Sequence, residues 1–174
     1  EPYALEVLAT VLDGHDAARF SKNLVRGSKI AQSAGAGYDG TLRGEATFMF
    51  DGQPAEGRTV AELEAALRAE LKRVQDEGVS PEELARVKTQ TIASQVYKRD
   101  SLMAQAMEIG GLEAAGHKWQ DIDKLLEKIR GVTAEEVQAV AKKYFTDDAL
   151  TVAVLDPLPL DQAKPKKSAP ATRH

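Results

Sequence analysis

Three histidines, His15, His117 and His174, are the only imidazoles in 174 residues, and no cysteine accompanies them. A catalytic zinc ordinarily takes three protein ligands, and its helical signatures set two histidines on one face a turn apart. No histidine here has another at that spacing, so neither H-E-x-x-H nor the inverted H-x-x-E-H pattern occurs. His15 lies in Asp13-Gly14-His15-Asp16, a helix-ending turn, where a surface histidine is a simpler reading than a ligand pairing with Asp13 or Asp16. His117 lies in a loop before Trp119, and His174 is the last residue. Without cysteine there are no disulfides, no thiolate nucleophile and no Cys-based zinc site.

Other chemical patterns dissolve on inspection of their surroundings. No Gly-x-Ser-x-Gly elbow surrounds Ser21, Ser28 or Ser33. Gly35, Gly37 and Gly40 match G-x-G-x-x-G, but a dinucleotide site needs a strand before the motif and a helix opening inside it. Strand-forming residues follow instead, as in a tightly packed hairpin. The carboxylate pairs Glu82-Glu83 and Glu135-Glu136 sit in first helical turns, where negative charge complements the helix dipole. Met103 and Met107, four apart, read as core or interface filler. The residues alone define no catalytic constellation and no metal site.

The elements that would carry a site are well punctuated. Pro2 opens a helix at its favoured first turn, with Ala4, Leu5, Val7, Leu8, Val11 and Leu12 as its apolar face and Asp13-Gly14 as its stop. Phe20 and Leu24, four apart, predict a short helix over about 17–24. An antiparallel pair follows, over 30–38 and 42–50, with Asp39-Gly40 as a hairpin-type turn and Asp51-Gly52-Gln53-Pro54 as its end. Thr59 with Glu62, Ser80 with Glu83 and Thr133 with Glu136 have capping-box spacing, and Pro81 occupies a first helical position. They predict helices from 60 to Gly78, from Pro81 to about Val96, and from about 134 to Phe145. Further helices are predicted from Leu102 to near Gly116 and over 119–129. The run Leu150–Leu155 has the composition and length of a strand stopped by Asp156-Pro157. The expected fold is α+β, an antiparallel sheet with several helices on one face. Two strands before the last one make a thin sheet, so the first strands of the domain are expected upstream of Glu1.

Hydrophobic residues make up 43% and charged residues 29% of the chain, and the net charge is −4. This suits one globular domain, expected over 1–160, with a disordered Pro/Ala/Lys tail over 161–174. The only basic cluster, Lys164, Lys166 and Lys167, falls in that tail, so no nucleic-acid partner is expected. No apolar run approaches the roughly 20 residues that span a bilayer.

Three stretches in order resemble the repeated domain of the insulinase/pitrilysin/mitochondrial processing peptidase family. They are Tyr3-Ala4-Leu5-Glu6-Val7-Leu8 through Gly14 to Ala18-Arg19-Phe20 and Leu24-Val25-Arg26; Gly78 to Leu84 running into Arg86-Val87-Lys88; and Val132 to Val137 through Tyr144-Phe145 to Pro157. The resemblance implies a two-domain clamshell around a peptide substrate, with zinc held by the N-terminal domain. This chain, lacking the zinc motif, is similar to the C-terminal domain, which closes the chamber. No cofactor is expected in this chain, and zinc is expected in the parent protein. The implied partners are a zinc-bearing N-terminal lobe, the peptide and a second peptidase-like subunit. The family's substrate-contacting Arg/Tyr pair implies a substrate-binding role for Arg26, but the position seven residues later is Ser33. The alternative is a non-proteolytic assembly subunit, a role this fold also serves in respiratory complexes; an independent ligand-binding domain is a third reading. Bacterial relatives are often exported, which points to the periplasm for a bacterial protein.

With so few ligands, the isolated chain is expected neither to hold zinc stoichiometrically nor to cleave peptides. Metal analysis after dialysis and a generic peptide-cleavage assay check this; one tightly held zinc per chain would refute it.

Overall fold

In a computed structural model the described residues are 1–157, and they form six α-helices, one π-helix and two strands. Helix α1 (Pro2–Asp13) is followed by the π-helix Phe20–Gly27, strands β1 (Ala31–Gly37) and β2 (Met49–Pro54), and helices α2 (Val60–Glu77), α3 (Pro81–Lys98), α4 (Leu102–Ala115), α5 (Ile122–Gly131) and α6 (Ala134–Tyr144). The architecture is α+β, as the element pattern predicts. The expected tail over 161–174 lies outside the described residues.

Helix α1 is buried on almost every side: Ala4, Leu5, Val7, Leu8, Ala9, Val11 and Leu12 are all inaccessible. It packs against β1, α3, α5 and α6, so its apolar residues meet the core faces of all four. Phe20 and Leu24 from the π-helix, Val74 from α2, Val87 from α3, Ile129 from α5 and Val137, Val140 and Ala141 from α6 complete that core. Phe48, Phe50 and Phe145 form an aromatic cluster over the sheet, with ring centroids 4.8–5.7 Å apart.

Capping sets the helix ends where the sequence places them. Thr59 with Glu62 and Thr133 with Glu136 form complete capping boxes, each worth about 1 kcal/mol of the helix it opens. Gly78 closes α2 at φ 76° and Gly116 closes α4 at φ 88°, left-handed conformations that favour glycine. The amides of Gln75 and Gln138 sew α2 to α6 reciprocally: Gln75 donates to the carbonyl of Ala141 and Gln138 to that of Gln75, both at 2.9 Å.

Five local expectations are corrected. The short helix expected over 17–24 is a π-helix from Phe20 to Gly27, its widened turn shown by the Ser28 amide donating five residues back to Asn23 at 2.8 Å. The second strand is Met49–Pro54, not 42–50. Asp51-Gly52 therefore runs within the strand, and 38–48 is an eleven-residue connection instead of a tight turn. The strand packs closely at this glycine: a Cβ on Gly52 would stand 3.1 Å from Leu63 of α2 and from the Ser33 carbonyl. Glu83 does not close a capping box with Ser80, because its carboxylate is drawn to Arg19. Trp119–Asp121 is a single 3₁₀ turn ahead of α5. Finally, Leu150–Leu155 is not a strand: 151–157 carry no regular structure, and Leu150, Val152, Val154 and Leu155 stand exposed. A strand is a property of a ladder, and β-branched composition without a paired edge does not make one.

Leu8 is fully buried where α1 meets its neighbours. Leu8→Ala is expected to cost about 2–5 kcal/mol, from lost transfer energy plus the cavity left behind. Urea denaturation read by far-UV circular dichroism measures it.

Candidate functional site

Arg26, the substrate-contact residue that the sequence resemblance suggests, lies in the last turn of the π-helix and is exposed. Its guanidinium Nη2 donates to the carbonyl of Asp16, in the turn that joins α1 to the π-helix. The mount beneath it is rigid and polar. On one side Arg19 grips Glu83 of α3 in a bidentate pair, Nε to Oε1 at 2.9 Å and Nη2 to Oε2 at 2.8 Å, and Nη2 also donates to the Gly78 carbonyl at 3.0 Å. The hydrogen bonds to the Glu83 carboxylate hold the Arg19 guanidinium above its ordinary pKa, against the lowering effect of burial. On the other side Asn23 Nδ2 donates at 2.9 Å to Glu70 of α2, a buried carboxylate whose second oxygen accepts from Arg73 at 2.9 Å. Bidentate arginine–carboxylate geometry is both strong and directional, so the π-helix is clamped to α2 and α3 while Arg26 stands outward.

Ser33 lies on β1 opposite Gln53 and is exposed. Tyr38 lies one residue past the end of β1, stacked on Phe48 with centroids 6.0 Å apart. Arg26 precedes the Ala31 end of β1 and Tyr38 follows the Gly37 end, so the seven-residue strand lies between them in the chain. Gly35 and Gly37 sit within β1, and a Cβ on Gly35 would stand 2.5 Å from the Asp51 carboxylate. That close approach accounts for the glycine without a phosphate.

The histidines are apart. His15 Nδ1 accepts from the Ala17 amide at 3.0 Å, and burial first, then Arg86, lowers its pKa. His117 Nε2 lies 3.0 Å from the Thr41 carbonyl, and His174 lies outside the described residues. Among the described residues no group of three or more His, Asp or Glu side chains is placed to hold a metal ion, and no helix is long and apolar enough to cross a membrane.

A cleft of about 390 Å³ opens between α1, the connection after β1, and α3, α4 and α5, with Glu6, Tyr38, Lys98, Met107, Leu112 and His117 among its walls. Sequence reasoning missed it, because its walls come from five separate segments. Glu6 belongs to the stripe Tyr3, Glu6, Thr10 and Asp13, the side of α1 that the core leaves uncovered. Burial, reinforced by Asp39 and opposed by Lys98, raises the Glu6 pKa.

Residues 1–91 match the family described as the peptidase M16 inactive domain. No curated protein matches the chain. Among solved structures, a protease from Helicobacter pylori superimposes with TM-score 0.77 at 18% identity, over 84% of this chain and 35% of that one. The inactive peptidase domain of a "putative zinc protease" from Bordetella parapertussis gives 0.73 at 20% identity, over 92% and 87%. A peptidase M16 inactive domain from Pseudomonas fluorescens gives 0.65 at 14%, over 83% and 34%. At these identities the likeness is one of fold, and the chain spans about a third of the Helicobacter pylori protein.

The raised pKa of Glu6 has a testable sign. The folded protein holds this proton more tightly than the unfolded chain, so stability falls as pH rises from the ordinary value of 4.5 through the folded-state pKa. Glu6→Gln removes that fall. The melting temperature of the variant minus that of the parent is expected to become more positive between about pH 4 and pH 7. A constant difference would show that Glu6 titrates as an ordinary carboxyl.

Proposed function

Since the chain belongs to the peptidase M16 inactive-domain family, we propose that it serves as the metal-free C-terminal lobe of a zinc-dependent endopeptidase. In this reading it closes a peptide-binding chamber against a zinc-bearing N-terminal lobe of the parent protein. The observation that carries the reading is the family match itself, which spans α1, the π-helix, the hairpin, α2 and the first half of α3. The mount of the π-helix supports it, since a guanidinium on a clamped element can meet a peptide carbonyl or carboxylate with little loss of freedom on binding. In the parent, zinc would polarise the scissile carbonyl and activate water, and this lobe would supply enclosure and contacts.

The assembly-subunit reading draws on two features of the same region: Ser33 stands where the resemblance places a tyrosine, and Arg26 is already tied to the Asp16 carbonyl. One experiment separates the two. The complete two-lobed protein should cleave an unstructured peptide in a chelator-sensitive way that this chain alone does not reproduce. Turnover that never appears, with zinc supplied and the fold intact, supports the scaffold.

Within the peptidase reading, Arg26→Ala should leave the melting temperature nearly unchanged, because exposed surface substitutions usually stay within about 0.5 kcal/mol. Cleavage by the complete enzyme should fall by about tenfold, the lower end of what a charge-assisted hydrogen bond made in the transition state is worth. Unchanged kinetics on several peptides would reduce Arg26 to a surface residue.

A further inference from the structure

The cleft beside α1 has mostly apolar walls, with the buried side chains Leu112, Leu126 and Ile129 among them. Two of its sides are tied together: His117 Nε2 lies 3.0 Å from the Thr41 carbonyl, which joins the loop after α4 to the connection after β1. Into this space α1 presents the half-buried Glu6. Among the described residues the Glu6 carboxylate has no hydrogen-bond donor; its backbone carbonyl, not its side chain, accepts from Thr10. No side-chain polar atom sealed from water lacks a partner among those residues, so the unpartnered Glu6 oxygens are accessible. Asp39 and Glu108 also line the cleft, against Lys98 as its one ammonium. Lys98 acts on Glu6 only through its field, and burial together with Asp39 outweighs it, which keeps the Glu6 carboxyl above its ordinary pKa. The charge of Glu6 is therefore left uncompensated by the chain itself.

We propose that this cleft binds a small organic cation, a protonated amine on a compact apolar body, with its ammonium at Glu6 and its body against Leu112, Leu126 and Ile129. The volume, about 390 Å³, lies at the lower end of the roughly 300–1,000 Å³ that ligand clefts span and suits a small molecule. Charge selects the sign. An anion would meet three carboxylates, Glu6, Asp39 and Glu108. A neutral apolar molecule would strip water from Glu6 and give its charge no partner, a cost that an ammonium removes through charge-assisted hydrogen bonds. A bare metal ion fits less well: among the described residues no three carboxylates or imidazoles are placed to hold one, and it gains nothing from apolar walls. The inference is independent of the peptidase reading, because binding by this chain is measured without cleavage.

Titration of the 174-residue chain with cyclohexylmethylammonium near neutral pH, followed by amide NMR spectroscopy, tests this. Saturable shifts are expected at Glu6, Leu112 and Leu126, with a dissociation constant of about 1 mM or below, within reach of a ligand of this size. Cyclohexylmethanol keeps the body without the charge and methylammonium the charge without the body, so each should bind at least tenfold more weakly. Glu6→Gln, which keeps the shape and removes the charge, should weaken cyclohexylmethylammonium at least tenfold. Lys98→Met, at an exposed position, removes the competing ammonium and should strengthen it. Melting curves establish that both variants are folded. Absent shifts, cyclohexylmethanol bound as tightly as the amine, or binding unchanged in Glu6→Gln would each overturn the proposal. A blocked lysine peptide that binds more tightly than the free amine would also overturn it, by giving the cleft to a polypeptide side chain.

Discussion

The fold depends on the burial of one short helix. Helix α1 leaves only Pro2 and the stripe Tyr3, Glu6, Thr10 and Asp13 less than fully buried, and β1, α3, α5 and α6 all close on its remaining surface. Such a helix acts as a post: the elements around it find their relative positions by packing on it, since interiors tolerate little void or overlap. Its uncovered stripe is used as well. Asp13 accepts from the Ala36 amide of β1 at 3.3 Å, Thr10 donates to the Glu6 carbonyl at 3.0 Å, and Glu6 looks into the cleft beside α4. At its first turn, Glu1 takes the ammonium of Lys143 at 2.5 Å and the hydroxyl of Tyr144 at 2.7 Å, which joins the start of α1 to the end of α6.

The second constraint is electrostatic and sits where the π-helix meets α2 and α3. Two carboxylates, Glu70 and Glu83, are withdrawn from water and are satisfied by Asn23 and Arg73 and by Arg19. Removing one partner from such a pair leaves the other desolvated and unpaired, which costs far more than a surface ion pair contributes. The network therefore holds the π-helix in one place more firmly than its apolar contacts, Phe20 and Leu24, would alone. Arg26 stands on the element that this network holds, with its own guanidinium donating to the Asp16 carbonyl.

Apolar surface is distributed unevenly over the molecule. Core packing around α1 is dense, while α4 and the run Leu150–Leu155 leave large side chains in solvent. In both places the residue types suit burial, and nothing in the described chain covers them.

Much of the helical framework was legible in the sequence because its signals are local. A cap such as Thr59 or Thr133, a proline at Pro81, or a glycine at Gly78 or Gly116 acts within one turn, so the helix ends follow from neighbours along the chain. The scattered histidines and missing cysteines likewise bounded the chemistry without any structure. Other features depend on groups distant in sequence. Glu83 has the spacing of a capping box, but Arg19, sixty-four residues away, takes its carboxylate. Gly52 lies within β2, close beneath Leu63, instead of in a turn, and the run Leu150–Leu155 looks like a strand yet has no ladder. Arg26 could be named from resemblance, but its tie to the Asp16 carbonyl and its clamped mount came only with the fold. Caps and turns are decided by contacts a few residues apart, whereas pairing, burial and the meeting of charges depend on segments that the chain must first bring together.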